Sequence, residues 1–170
     1  MLALGGCIFS PAKGKGKIDP PIYEANRFPE SVLRNLVKAY TNKDSTEYKS
    51  LFDESYEGTS IDQLDPTPQL LNLRKADEAQ HISGLARSTV SSITIQLRAN
   101  FGQFHDAGDP VGWATIQDPF ITFRIYDLQD VWVIVPPVEG TNRATFKFIP
   151  SATSPSDTTW KIVRFIETRS

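Results

Sequence analysis

Two periodicities divide this chain. Before residue 88 the apolar residues recur at helical spacing, and after it they mostly alternate. Helices therefore come first, and a sheet follows that they can cover, which makes the fold class α+β.

The clearest helical pattern opens at Phe28 and Pro29. Val32, Leu33, Leu36, Val37 and Tyr40 form one apolar stripe at 3.6 residues per turn. Pro29 suits a first helical turn, where its missing N–H costs nothing, and Glu30 favours the positive end of the helix dipole. The pattern predicts a stop at Thr41 to Lys43. A second helix should run from Asp44 to Phe52, with Asp44 and Glu47 as a capping box and Tyr48, Leu51 and Phe52 as its apolar face. At about ten residues it is too short to stand alone and must lean on a neighbour. Tyr56 to Ile61 reads as a short strand, and Asp62 to Leu71, with Pro66 and Pro68, as a loop. Asn72 reads as the N-cap of a third helix, Leu73 to Ser83, ending at Gly84. Its apolar positions, Leu73, Ala76, Ala79 and Ile82, are mostly small and predict a helix lying flat.

In the second half, Ser91, Ile93, Ile95 and Leu97 alternate with Ser92, Thr94, Gln96 and Arg98, the mark of a half-buried antiparallel strand. Phe101 to Gly112 reads as a loop. Ile121, Phe123 and Ile125 alternate in the next strand, Asp127 to Asp130 turns, and Val131 to Val135 is continuously apolar. Turn material at 139–142 precedes a strand from Arg143 to Ile149, and a loop from Ser151 to Asp157 precedes a last strand, Thr159 to Ile166.

At 170 residues and 39% hydrophobic content, one ordinary domain plus a tail is expected, and no apolar run is long enough to span a bilayer. A net charge of −2 gives no basic face for nucleic acid. The single cysteine, Cys7, excludes an intrachain disulfide. It follows Leu4-Gly5-Gly6, which resembles a bacterial lipobox: an aliphatic residue, two small residues, then the cysteine whose thiol takes the diacylglyceryl group. Ser10 to Lys17, rich in Gly and Lys, has tether composition. The stretch before Cys7 is shorter than a signal peptide and lacks its basic start, so residues 1–27 are expected to be a lipobox remnant and flexible tether, with the domain at 28–170. The resemblance implies a lipid on Cys7 and a place in the cell envelope. With Ile8 after the cysteine, the periplasmic side of an outer membrane is implied for a Gram-negative host. The alternative is a cytoplasmic chain with an incidental cysteine.

The helix Val32–Tyr40, the motif Tyr48-Lys49-Ser50-Leu51-Phe52 and the ending Trp160-Lys161-Ile162-Val163-Arg164 occur in an order that resembles the nuclear transport factor 2-like superfamily, which includes SnoaL-type cyclases and ketosteroid isomerases. That resemblance covers about residues 28–168. It implies a cystatin-like, cone-shaped curved antiparallel sheet covered by three helices from the N-terminal half, with a pocket between them.

Tyr40, Tyr48, Tyr56, Trp113, Tyr126 and Trp132 are the polar-tipped aromatics expected to line such a pocket, or else to pack a core. Glu78 and His81, three apart on the third helix, could act as a base and its orienting partner, with Tyr40 as a third candidate, or be a routine exposed pair. His105 lies beside Asp106 and Asp109, but two histidines and one cysteine make a poor metal set, and no cofactor motif occurs. The functional expectation is a non-catalytic domain that binds a small apolar ligand or a partner. The alternatives are an isomerase- or cyclase-like enzyme and a structural module that forms a homodimer through the open sheet face.

Overall fold

The computed structural model describes residues 20–63, 66–126, 132–134, 143–152 and 158–169. Cys7 and the rest of the expected tether up to residue 19 lie outside the described residues. Three helices, α1 (Pro29–Thr41), α2 (Ser45–Ser50) and α3 (Lys75–Arg87), accompany β1 (Phe52–Asp62), β2 (Leu70–Arg74), β3 (Ser92–Leu97), β4 (Gln103–Phe104), β5 (Ala114–Gln117), β6 (Phe120–Tyr126), β7 (Trp132–Ile134), β8 (Arg143–Ala152) and β9 (Thr158–Arg169). No helix among the described residues is long and apolar enough to cross a membrane.

The stripe on α1 packs as its spacing dictates: Val32 and Leu33 are fully buried, and Leu36 and Tyr40 nearly so. Ser31 starts this helix, accepting from the Phe28 N–H at 3.1 Å and donating to the Phe28 carbonyl at 2.7 Å. Asp44 caps α2, where its Oδ1 accepts from the Glu47 N–H at 3.0 Å. That helix ends early, because Phe52 already belongs to β1 and pairs with Ile162.

Residues 20–27 are not a leash. Asn35, 1% exposed on α1, accepts from the Glu24 N–H at 3.0 Å and donates to the Glu24 carbonyl and to Asn26 Oδ1, both at 2.8 Å. Asn26 in turn accepts from the Trp160 N–H at 2.7 Å. Residues 20–27, expected to be part of a tether, are thus held against α1 and β9. Asn35→Ala removes every polar contact that the side chain makes to the strap. It should cost about 1–3 kcal/mol in chemical denaturation and open residues 20–27 to limited proteolysis before the body unfolds.

Six strands hydrogen-bond in the order β2-β1-β9-β8-β5-β4 and three in the order β3-β6-β7. The chain crosses between these sections at Asp118, which takes a left-handed backbone (φ 47°) that aspartate tolerates. Its Oδ1 accepts from the Ala144 N–H at 2.9 Å, and Oδ2 pairs with Arg143. The register breaks at one place on β9: β8 slips between Lys147 and Phe148, opposite Arg164 and Ile162, and β1 slips between Phe52 and Glu57, opposite the same two residues. Irregularities of this kind bend a strand, and here they fall together where the sheet must curve around the helices.

Several expectations are corrected. The sheet is not wholly antiparallel, since β1 runs parallel to β9. Leu70 to Arg74 is an edge strand hairpinned to β1, so Asn72 pairs with Thr59 instead of capping a helix, and α3 starts at Lys75 and runs past Gly84. The region read as a loop from Phe101 to Gly112 holds β4, and β5 follows it. The α3 helix does not merely lie flat, because Ile82 is fully buried and Glu78 is 8% exposed.

Candidate functional site

The helices and the sheet enclose a cavity of about 310 Å³. Among the described residues, Leu36, Ile95, Leu71 and Leu73 supply aliphatic wall and eight aromatic rings line it too: Tyr40, Tyr48, Phe52, Tyr56, Phe120, Phe123, Phe146 and Phe165. The rings brace one another. Phe52 lies 5.0 Å from Tyr48 and 4.6 Å from Tyr56, and Tyr40 lies 5.0 Å from Phe123 edge to face, separations at which aromatic pairs attract.

The polar lining gathers around α3. Glu78 accepts from the Tyr56 hydroxyl at 2.6 Å and from the Tyr48 hydroxyl at 3.2 Å, one on each carboxyl oxygen. Burial pushes its pKa up. The two tyrosine hydrogen bonds oppose that shift, and the nearby charges of Asp77 and Glu167 add to it. Burial likewise raises both tyrosines, helped by Glu78, so their hydroxyls remain donors. The Tyr40 hydroxyl and His81 Nε2 share a hydrogen bond of 2.8 Å, and burial lowers the His81 pKa towards the neutral imidazole. Ser60 on β1 donates to Glu167 on β9 at 2.8 Å. Gly58 lets this arrangement close: a Cβ there would collide with the Tyr56 hydroxyl and crowd Leu73.

Of the predicted pocket aromatics, Tyr40, Tyr48 and Tyr56 line the cavity, and Trp113 and Tyr126 do not. Trp113 precedes β5 with Arg164 over its ring at 5.8 Å, and Tyr126 ends β6 half-buried, opposite Ser92. Alternation reveals that a strand has two faces but not which of them meets the helices. The Trp132 side chain lies outside the described residues. Glu78 and His81 both reach the cavity, yet no hydrogen bond joins them among the described residues, and each is held by tyrosines from other elements. Asp106 and Asp109 face Lys147, at 3.1 and 2.6 Å, while His105 meets the Trp113 carbonyl. Ser60, Leu71, Glu167 and the four phenylalanines of the sheet half and its last strand were not singled out from the sequence. Nothing in the sequence marked Glu167.

No family model matches the sequence, and no curated protein matches it. Solved structures do match its fold. A conserved protein from Planctomyces limnophilus superposes at a TM-score of 0.55 with 11% identity, covering 82% of this chain and 91% of that one. A protein of unknown function from Mycobacterium tuberculosis gives 0.52 with 11% identity, covering 81% and 67%. A candidate calcium/calmodulin-dependent protein kinase type II association domain from Thiobacillus denitrificans gives 0.51 with 13% identity, covering 89% and 99%. Chains described as nuclear transport factor 2-like and ketosteroid isomerase-like are also among the matches. At these identities the likeness concerns the fold: α+β, with a curved sheet and few helices, as expected.

Proposed function

We propose that this chain is a small-ligand-binding module whose ligand sits in the cavity between α1, α3 and the curved sheet. The carrying observation is a cavity of about 310 Å³ walled by aromatic rings, with its polar groups collected around Glu78 and His81. Sites for small molecules have this composition, with apolar walls and a few placed polar groups that fix orientation. The test uses a neutral aromatic probe, 1-naphthalenemethanol, titrated into the full chain by calorimetry. Saturable binding that Leu73→Trp abolishes, by filling the cavity, supports the reading. Binding that Leu73→Trp leaves unchanged places the probe elsewhere and defeats it.

A second reading, proton transfer of the isomerase or cyclase kind, is favoured by one observation. Glu78 carries a raised pKa inside an apolar cavity, and each of its oxygens keeps a lone pair beyond the tyrosine bond. Deuterium exchange at the α-carbon of a cyclic ketone, catalysed by the wild type and lost in Glu78→Gln, would support it. No exchange above the buffer rate would remove it.

The cell-envelope placement belongs to the same proposal, with a lipid on Cys7 as the anchor. Expressed in a bacterial host behind a complete lipoprotein signal peptide, the chain should incorporate labelled palmitate, and Cys7→Ser should not. Equal label in both, or label in neither, overturns the anchor.

A further inference from the structure

Taking the cavity as the ligand site, as proposed above, we infer the group by which its ligand is held: a hydroxyl on an apolar body, donating a hydrogen bond to the cluster of Glu78, Tyr48 and Tyr56. The three side chains come from α3, α2 and β1 and are all buried. Each also lines the cavity. Counting protons sets what the cluster asks of a ligand. Among the described residues it holds two hydrogen bonds, from the Tyr56 and Tyr48 hydroxyls to the two carboxyl oxygens, at 2.6 and 3.2 Å. With the carboxyl ionised, each phenol brings one proton, and the two bonds use both. The cluster then has nothing left to donate, while the carboxylate and phenol oxygens can still accept. With the carboxyl protonated, one further proton is free to donate beside those acceptors.

A hydroxyl both gives and takes hydrogen bonds, so it meets the cluster in either state. A ketone, ether or ester only accepts, and in the ionised state it would face oxygens alone. A carboxylate would set a second acceptor-only group, and a like charge, against the first. An ammonium only donates and has no answer to the free proton of the other state. The second polar pair on the lining makes no such demand. Tyr40 and His81 share one hydrogen bond at 2.8 Å, and His81 is exposed, so solvent can serve its other nitrogen. Beside the Glu78 cluster the wall is apolar: the Phe52 ring lies 5.0 Å from that of Tyr48 and 4.6 Å from that of Tyr56. The carbon that carries the hydroxyl therefore meets an aromatic surface.

Two isomers test the count: 1-naphthalenemethanol, which gives and takes hydrogen bonds, and 1-methoxynaphthalene, which has the same atoms and only accepts. Equilibrium dialysis against the full chain at pH 8 should show the alcohol bound about tenfold tighter, the worth of a hydrogen bond to a buried charged acceptor. Leu73→Trp should abolish binding of both. Glu78→Gln replaces the acid by an amide that brings protons of its own, so the cluster gains donors. The ether should bind this variant tighter than it binds the wild type, a gain that a damaged fold cannot produce, and the alcohol should lose its lead. Equal binding of the two isomers to the wild type, or tighter binding of the ether, with Leu73→Trp still blocking both, overturns the hydroxyl and leaves the small-ligand reading standing. That comparison decides whether or not the variant folds. A preference for the alcohol that Glu78→Gln leaves unchanged also overturns the inference. Absence of binding by both isomers, or binding that Leu73→Trp leaves in place, overturns both readings.

Discussion

Phe52→Ala should lower the unfolding free energy by about 3–5 kcal/mol, the cost of removing a buried ring from a core that cannot collapse onto the space. Phe52 is 1% exposed and opens β1, against Ile162. Its ring touches both Tyr48 and Tyr56 and also forms part of the cavity wall. Truncation therefore adds to an existing void instead of creating a separate one, and the two tyrosines that hold Glu78 lose their common support. Urea unfolding should show a lower midpoint with an unchanged slope, and added benzene should restore part of the loss by filling the enlarged space. Phe28→Ala is the control: Phe28 is 63% exposed, and its loss should change stability by less than about 0.5 kcal/mol. Equal losses at the two positions would show that Phe52 is not part of the core.

The second large effect is at Glu78, and its sign depends on pH. Its carboxyl titrates above the ordinary value of 4.5 when folded, chiefly through burial. The folded state therefore holds this proton more tightly than the unfolded state does. That contribution to stability is fully present below about pH 4.5 and is lost as pH rises through the folded pKa. Glu78→Gln removes the titration and keeps a polar side chain between the two hydroxyls. Relative to wild type, the variant should gain stability steadily from acid towards neutral pH. Glu24, Asp53, Glu54, Glu57 and Asp106 have lowered pKa values and act in the opposite sense, so the difference between the two proteins, not the wild-type curve alone, is the quantity to measure. A pH-independent difference would mean that Glu78 has the same proton affinity folded and unfolded. Glu78→Leu, by contrast, leaves two buried hydroxyls without their acceptor and should be destabilising at every pH, by about 1–3 kcal/mol for each.

The long elements were legible in the sequence because their patterns repeat often enough to be unambiguous. Five stripe positions specified α1, and the alternation from Ser91 to Arg98 specified β3. Short elements were not. Leu70, Leu71 and Leu73 fit the start of a helix as well as a strand, and pairing with β1 decides the matter. Strand direction is also invisible to alternation, so the parallel pairing of β1 with β9 was missed. In the site, the tyrosines could be chosen because a phenol suits the edge of an apolar pocket. Glu78 could be named too, from its spacing to His81, but its bonds to the tyrosines could not: it lies 30 residues from Tyr48 and 22 from Tyr56, and only the fold brings them together.

That parallel pairing has a kinetic consequence. Arg164 meets the Ser55 carbonyl, 109 residues earlier in the chain. During synthesis β1 emerges long before its neighbour exists, and the strand that pairs with it from the middle of the chain, β2, covers only one of its edges. The central seam of the six-stranded section, with Phe165 and Glu167 of the cavity lining, is completed only when β9 arrives. Contacts this distant close slowly because the loop entropy must be met first. This seam should stay open in the nascent chain until β9 has been made.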